Sequence, residues 1–247
     1  MYRNINKKIL HVIATIIMVA IVAFIIGMLF LRYQVEGETN MPFKISKISI
    51  IESVEGIENK DAQEKWSFNV NENNDIYIYI EKNDNYGKTE IIDRVEIGNI
   101  TISRQSELGE IKFYKPTKEE KRMFNNLEEN EFTELTYNGD LTSNIKEQKI
   151  SNQGGIVAFR YAINDIAQYS SEEDEQIDHS HLLKLTNIKN EDIATTLRFD
   201  MEIYLKSGKK YQSTIEQEIL PEDVIENGTA SSENTKLDDI IFKRVEN

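Results

Sequence analysis

The sequence predicts an all-β protein, an antiparallel and immunoglobulin-like β-sandwich carried on a single N-terminal transmembrane helix. Near the N-terminus, a run of 23 residues from Ile9 to Leu31 contains no charged side chain. The remainder consists of about ten short segments of alternating apolar and polar residues, bounded by Gly, Asn and Asp, as in half-buried strands and their turns. Because long helical patterns do not alternate with these strands, a sandwich is favoured over a parallel α/β fold.

The apolar run is long enough to cross a membrane. As a helix it would be about 34 Å long, compared with about 30 Å for the hydrocarbon core of a bilayer. Cleaved signal peptides have a shorter apolar part that ends in small residues, whereas this run ends in Phe30-Leu31-Arg32-Tyr33. We therefore expect an uncleaved anchor, with the lipid bilayer as the partner of residues 9–31.

The basic residues around the run favour one orientation. Arg3, Lys7 and Lys8 precede it, whereas Arg32 is the only basic residue that follows it before the first acidic side chains. Basic residues concentrate on the cytoplasmic side of membrane helices. Residues 1–8 are therefore predicted to form a cytoplasmic tail, which places the rest of the protein outside the cell membrane.

The part that follows the helix is strongly acidic. Residues 32–42 are predicted to be a polar tether, and residues 43–247 an extracellular β-rich domain. From residue 33 onward the chain has 25 basic and 43 acidic side chains, a formal charge of −18. Nucleic acids and anionic lipid headgroups repel such a surface as a whole, so nucleic-acid binding is not expected. The absence of cysteine excludes disulfides, thiolate metal sites and cysteine nucleophiles.

Alternation identifies the strands of the N-terminal half. Strands are predicted at residues 48–54, 66–70, 76–80, 91–103 and 111–113. Asn71-Glu72-Asn73-Asn74 is typical of a turn, so the strands on either side of it are predicted to form a hairpin. The alternation changes phase at Gly98-Asn99, which predicts a β-bulge there.

One soluble helix is predicted, over residues 117–127. Thr117 and Glu120 have the spacing of a capping box, and three apolar side chains behind them fall on one helical face. This helix is also the natural boundary if the domain consists of two small sandwiches, residues 43–116 and 131–247, rather than one large one. The sequence contains no repeat that decides between these alternatives.

The clearest alternation lies in the C-terminal half. Apolar and polar residues alternate at every position from 197 to 205. Lys206-Ser207-Gly208 then fits a three-residue hairpin loop that pairs Leu205 with Lys209. Further strands are predicted at residues 132–137, 154–163, 209–220 and 237–245, with helical turns between 182 and 193 and a flexible polar stretch over 226–235.

An acidic loop over residues 170–181 carries the candidate metal ligands. His179 and His181 would project to one side of an extended segment, and Asp174 and Asp178 lie nearby, so that the four side chains could bind a divalent cation. The alternative, which we favour, is a solvated loop without a ligand, because structural metal sites usually draw their ligands from separate rigid elements. No cofactor is expected.

No complete catalytic motif is present in the sequence. The chain lacks a G-x-S-x-G nucleophile motif, a P-loop and a dinucleotide-binding fingerprint. Trp66, Tyr77 and Tyr79 could form an aromatic recognition surface, although we favour the interpretation that they fill the sandwich core or its outer sheet face. We therefore expect a protein that is not an enzyme.

Together these observations predict a single-pass bacterial membrane protein with a non-catalytic β-sandwich at the cell envelope. The excess of Ile, Lys, Asn and Glu is typical of an AT-rich bacterial genome. The expected role is adhesion or interaction with another envelope protein. The alternative is an extracytoplasmic sensor or transport accessory that binds a small ligand or a cation through residues 170–181.

Overall fold

Ten strands in the described part of the chain form two five-stranded antiparallel sheets. The computed structural model describes residues 7–36, 41–59, 66–117, 122–139, 148–171 and 177–245. Its strands are β1 (Phe43–Glu58), β2 (Trp66–Lys82), β3 (Ile92–Arg104), β4 (Glu110–Tyr114), β5 (Leu135–Asn138), β6 (Gly155–Ser171), β7 (Thr195–Leu205), β8 (Lys210–Ile219), β9 (Thr229–Asn234) and β10 (Lys243–Val245). Their order is β4-β6-β2-β1-β9 in the first sheet and β10-β8-β7-β3-β5 in the second. The predicted antiparallel sandwich is confirmed.

Short helical segments join some of the strands. The helices are α1 (Lys7–Glu36), α2 (Leu182–Leu185), α3 (Asn190–Ile193) and α4 (Glu222–Asn227), with 3₁₀ turns at Glu128–Asn130 and His179–His181. The helical turns predicted between residues 182 and 193 correspond to α2 and α3. Apolar side chains of the three short helices, such as Leu182, Ile193 and Val224, are buried in the sandwich core, so these helices close part of the sandwich.

The N-terminal helix α1 is longer than the apolar run at both ends. Within it, His11–Leu29 is long and apolar enough to span a membrane, and its side chains are exposed. The Thr15 hydroxyl donates a hydrogen bond to the His11 carbonyl oxygen at 3.0 Å. This polar group is therefore satisfied inside the helix, as a lipid environment requires.

One continuous core lies between the two sheets. Ile76 and Phe159 from the first sheet and Phe199 and Ile203 from the second belong to the same buried cluster, and the rings of Phe159 and Phe199 meet edge to face at 5.4 Å. Each sheet contains strands from both sides of residue 117, because β2 pairs with β6 and β3 pairs with β7. The described strands therefore form one sandwich, and the division into residues 43–116 and 131–247 is not found.

The immunoglobulin-like part of the prediction is not confirmed. Constant-type immunoglobulin domains have sheets of four and three strands in the orders ABED and CFG. Here both sheets have five strands, and among the described strands only the successive pairs β1–β2 and β7–β8 stay within one sheet. The chain therefore crosses between the sheets at most of its connections.

The predicted helix over residues 117–127 is wrong for the part that the structure describes. Residues 122–127 are not helical, and residues 118–121 lie outside the described residues. The segment instead crosses the outer face of the first sheet, where the buried Phe124 ring meets Tyr77 edge to face at 6.4 Å. A helix this short is stable only if one of its faces packs, and here a single aromatic side chain provides the apolar contact.

Strand β2 differs most from the prediction. It is continuous over 17 residues, so the predicted turn at Asn71-Glu72-Asn73-Asn74 lies inside it, buried between neighbouring strands. Asn side chains favour turns by bonding to nearby backbone groups, but here the Asn71 side-chain oxygen accepts a hydrogen bond from the Asp165 amide of β6 at 2.8 Å. Hydrogen bonds of Asn71 to β6, of Asn73 to Asn126 and of Asn74 to Glu72 replace the turn.

The predicted C-terminal hairpin is confirmed in its register. The Leu205 amide donates to the Lys209 carbonyl oxygen at 2.9 Å, and Gly208 adopts a φ of 83°. Ile203 lies opposite Tyr211, as the alternation requires. The bulge predicted in β3 is also present, because the register shifts after Gly98.

Two C-terminal predictions need correction. The stretch over residues 226–235, predicted to be flexible, contains the end of α4 and the edge strand β9. The last strand is much shorter than the predicted 237–245, because only β10 pairs with β8. Residues 229–234 have little alternation of apolar side chains, so their pairing with β1 could not be recognised from the pattern.

A single tyrosine hydroxyl closes a gap at the edge of the first sheet. Strand β4 pairs with β6 only from Asn164 to Arg160, so Ala158 lies beyond the end of β4. The hydroxyl of Tyr137, on β5 of the other sheet, donates to the Ala158 carbonyl oxygen at 2.6 Å and accepts from the Ala158 amide at 3.0 Å. One side chain thus satisfies both backbone groups of a buried residue and links the two sheets.

We expect Tyr137→Phe to destabilise the protein by about 2–3 kcal/mol, because it leaves two buried backbone groups without a partner. The measurement is urea unfolding of the full chain in detergent, followed by the fluorescence of the single tryptophan. Tyr79→Phe is the matched control, since the Tyr79 hydroxyl has no hydrogen-bond partner among the described residues. Equal midpoints for the two variants would contradict the linking role of Tyr137.

Candidate functional site

In the middle of β2, polar side chains occupy both faces of the strand. Because successive side chains of a strand point to opposite faces, this stretch supplies polar groups both to the space between the sheets and to the outer face of the first sheet. We call the inner group the carboxyl cluster and the outer group the arginine network. The carboxyl cluster consists of Glu52, Glu72, Asn74, Tyr161 and Thr195. The arginine network consists of Asn73, Asp75, Asn126, Arg160 and Asn164.

The carboxyl cluster is assembled by strand register. Asn74 lies directly opposite Glu52 of β1 on one side and Tyr161 of β6 on the other. The side-chain amide of Asn74 donates to both carboxylate oxygens of Glu72, at 2.7 and 2.6 Å. The Tyr161 hydroxyl is hydrogen-bonded to the Thr195 hydroxyl at 2.6 Å. Five polar side chains from four strands therefore meet in the core.

Burial controls the protonation of the two carboxyl groups. Glu52 is 2% exposed and Glu72 is 1% exposed. Burial raises the pKa of Glu52 to about 7, and the negative charge of Asp223 adds to the effect. Burial also raises the pKa of Glu72 well above its usual value; the charge of Glu52 acts in the same direction, and the hydrogen bonds from Asn74 oppose it. Both shifts favour the protonated form of these buried carboxyl groups.

The hydrogen bonding of the cluster agrees with a bound proton. The Oε2 atom of Glu52 and the Oδ1 atom of Asn74 are buried and have no hydrogen-bond partner. Both are acceptors, so each requires a donor. A protonated carboxyl group supplies such a donor, whereas an ionised one would leave both oxygens unsatisfied. The arrangement can take up and release a proton, and both of its carboxyl groups are buried.

The arginine network fastens residues 122–130 to the outer face of the first sheet. Arg160 donates two hydrogen bonds to the Asp75 carboxylate, at 2.5 and 3.1 Å, and a third to the Asn126 side-chain oxygen at 3.1 Å. The Asn126 amide in turn donates to the side-chain oxygens of Asn73, at 2.7 Å, and Asn164, at 3.2 Å. Burial raises the pKa of Asp75, an effect that Arg160 opposes. These bonds hold Asn126 against the outer face of the first sheet.

The structure describes three of the four predicted metal ligands, and two of them, Asp178 and His181, bond within their own segment. Asp178 Oδ1 accepts hydrogen bonds from the amide of Ser180 at 3.0 Å and from its hydroxyl at 2.6 Å, and Oδ2 lies 2.9 Å from His181 Nδ1. These bonds lower the pKa of Asp178 and cap the 3₁₀ turn. The His179 ring packs edge-on against Phe68 at 4.9 Å.

The fourth candidate, Asp174, lies outside the described residues. Within the described ranges, no three His, Asp or Glu side chains are arranged to hold a metal ion. Asp178 and the two histidines are thus positioned by capping and ring packing.

Of the two positions expected for Tyr77 and Tyr79, the structure shows the outer sheet face and not the core. Because Ile76, Ile78 and Ile80 point into the core, the two tyrosines between them point to the outer face of the first sheet, where they are half-buried. The Lys47 ammonium group lies 4.4 Å from the centre of the Tyr79 ring. Both aromatic side chains therefore belong to a sheet surface.

Assigning residues 71–74 to a turn hid the carboxyl cluster, although the sequence contained a signal for it. Glu72 and Asn74 are in phase with Ile76, so continuing the alternation backward places them on the buried face. Glu52 is similarly in phase with Ile48 and Ile50. In each case the strand period was a better guide than the polarity of the side chain.

No relative assists the interpretation of these groups. Comparison with protein-family models, with curated proteins and with solved structures found no match. The function has to be inferred from the residues of this chain.

The raised pKa of Glu52 predicts that stability falls as the pH rises. Protonation of Glu52 favours the folded state below about pH 4.5, and this contribution of about 3 kcal/mol is lost as the pH rises through 7. We expect Glu52→Gln to remove that part of the pH dependence, because glutamine stays neutral. The measurement is urea unfolding of the full chain in detergent between pH 4.5 and 8.

Glu58→Gln is the matched control, because Glu58 is exposed on the same strand. It should leave the pH profile unchanged. A wild-type profile that is flat, or a Glu52→Gln profile as steep as that of the wild type, would show that Glu52 is not protonated in the folded protein.

Proposed function

We propose that this protein is a single-pass bacterial membrane protein whose β-sandwich lies outside the cell and binds another envelope protein without catalysing a reaction. The observation that carries the proposal is the apolar helix α1. Its segment His11–Leu29 has exposed apolar side chains. A soluble protein would bury such a surface, whereas lipid accepts it.

The orientation is supported by the charges on the two sides of α1. Arg3, Lys7 and Lys8 lie before the apolar segment, and the chain after Arg32 is acidic overall. The positive-inside bias retains the N-terminal side in the cytoplasm. The sandwich then faces the outside of the cell, where a cysteine-free domain folds without any need for disulfides.

Binding without catalysis is supported by the closure of both polar groups. The carboxyl groups of Glu52 and Glu72 lie between the sheets, and Arg160 is covered by residues 122–130. A catalytic acid or base has to reach its substrate within hydrogen-bonding distance. The buried side chains of Glu52, Glu72 and Arg160 are not placed in this way.

An open strand edge provides a surface for a protein partner. Strand β10 covers β8 only from Lys210 to Gln212, so no described strand pairs with that side of residues 213–219. The amide of Leu205, the last residue of β7, donates a hydrogen bond to the carbonyl oxygen of Lys209, next to the start of β8. Since such pairs recur at every second residue, the amides of Thr214 and Glu216 point to the open side. A partner can add a strand to an edge of this kind.

The absence of cysteine allows a direct test of the orientation. We expect Ser232→Cys, on the exposed edge strand β9, to react with a membrane-impermeant maleimide on intact cells. Asn4→Cys, before the apolar helix, should react only after the membrane is opened. The wild-type chain is the unlabelled control. Labelling of Asn4→Cys alone on intact cells would show that the orientation is the opposite one. Recovery of full-length protein in the soluble fraction would contradict membrane anchoring.

A proline on the open edge tests protein binding. We expect Glu216→Pro to lose a crosslinked partner that both the wild type and Glu216→Ala retain on intact cells, because proline removes the outward amide without removing a bond to β7. Protease resistance of the sandwich checks that each variant is folded. Identical crosslinked partners for the Glu216→Pro and Glu216→Ala variants would exclude this edge as the binding surface. The absence of a partner for the wild type and both variants would contradict the proposed interaction.

A further inference from the structure

We propose that one end of the sandwich rests on the anionic phospholipid headgroups of the membrane that α1 spans. The inference depends on the proposed membrane anchor and adds a second contact with the same bilayer. It follows from the length of the connection to α1, from the distribution of charge along the sandwich and from an exposed apolar side chain at that end.

The connection between α1 and the sandwich is too short to let any other end face the membrane. Only residues 37–40 separate Glu36 from Met41, and a fully extended chain covers at most about 3.6 Å per residue, so these two residues lie within about 18 Å of each other. Met41 is buried, and its carbonyl oxygen accepts a hydrogen bond from the Asn83 side chain at 2.8 Å. Helix α1 also contacts β10.

Several distant segments meet at this end of the sandwich. The Lys206 amide donates to the Ile91 carbonyl oxygen at 2.9 Å, and the Lys209 ammonium group lies 2.7 Å from the Glu90 carboxylate. Leu237 lines a groove together with Met41. We call this region the membrane-proximal end, and it comprises residues 41–46, 81–93, 205–210 and 235–245.

The membrane-proximal end is basic although the protein as a whole is acidic. It has nine basic and six acidic side chains, a net formal charge of +3, whereas residues 33–247 together carry −18. Two of its acidic groups, Glu90 and Asp93, are already paired with Lys209 and Lys206. Five of its lysines and four of its acidic residues are exposed and make no ion pair with a described residue: Lys44, Lys82, Lys88, Lys236 and Lys243, and Glu81, Asp84, Asp238 and Asp239.

The acidic side chains toward the other end of the sandwich lie too far from the membrane to cancel this attraction. Strand β2 runs from Lys82 at the membrane-proximal end to Trp66 at the other end. At about 3.3 Å per residue, its length is about 50 Å, whereas charges are screened over about 8 Å at physiological salt. The lipid surface therefore interacts with the basic end, and its repulsion of the acidic part favours the same upright orientation.

An exposed isoleucine adds an apolar contact at the same place. Ile241 is 52% exposed and lies between two grooves of about 590 and 470 Å³, both of which it lines. Lys243 lies two residues away and is exposed. An apolar side chain next to lysines is the combination with which protein surfaces enter the headgroup region of anionic membranes.

The test uses the full chain, reconstituted in vesicles of phosphatidylcholine with or without phosphatidylglycerol. Ile241→Cys carries an environment-sensitive fluorophore, and Ile57→Cys is the matched control, because Ile57 is 47% exposed at the far end of β1. The readouts are the blue shift of the fluorophore and its quenching by lipids with a spin label near the headgroup.

We expect position 241 to be blue-shifted and quenched in vesicles with phosphatidylglycerol, and position 57 to be unaffected. The effect should be lost at high salt, where screening shortens to about 3 Å at 1 M. It should also be lost in the variant that combines Lys236→Glu with Lys243→Glu. Flotation of the vesicles after an alkaline wash checks the anchor separately.

The outcomes distinguish this inference from the proposed anchor. Protein that does not float with the vesicles overturns the anchor and with it the inference. Protein can also float while position 241 behaves like position 57, or while position 241 does not respond to phosphatidylglycerol and salt. Either result contradicts the lipid contact alone and leaves the anchor in place.

Discussion

The sandwich depends on the pairing of β2 along its whole length. This strand lies at the centre of the first sheet, between β1 and β6, and its middle consists of Asn71, Glu72, Asn73, Asn74 and Asp75. A buried polar group that lacks a partner costs as much as several apolar contacts contribute. The strand is continuous because these side chains bond to one another, to β6 and to the segment that covers the sheet.

The two faces of β2 meet this requirement in different ways. On the outer face, Arg160 and Asn126 satisfy Asp75 and Asn73 with direct hydrogen bonds. These bonds also determine the path of residues 122–130, which would gain little from packing a single phenylalanine. On the inner face no basic side chain bonds to the carboxyl groups. Burial disfavours their charged form, and their raised pKa values favour the neutral, protonated form. The stability of the sandwich is thus coupled to pH through Glu52.

Net charge is a poor description of the surface that this protein presents. The formal charge of −18 after residue 33 led to the expectation that anionic lipid repels the domain. The fold collects lysines from four separate segments at the end that is joined to α1, while many acidic residues lie on other surfaces. Because screening limits each charge to its immediate surroundings, this distribution decides which partners each end attracts.

The sequence by itself determined the features that depend on neighbouring residues. The apolar composition of residues 9–31 identified the helix, and the alternation around Leu205 set the register of the hairpin, because the burial of a side chain follows from its position in a short periodic pattern. The tertiary structure decided the features that depend on distant residues. Asn71 bonds to Asp165, 94 residues away, and Arg160 bonds to Asp75, 85 residues away. A polar side chain bonds wherever it finds a donor or acceptor, and only the fold brings such distant partners together.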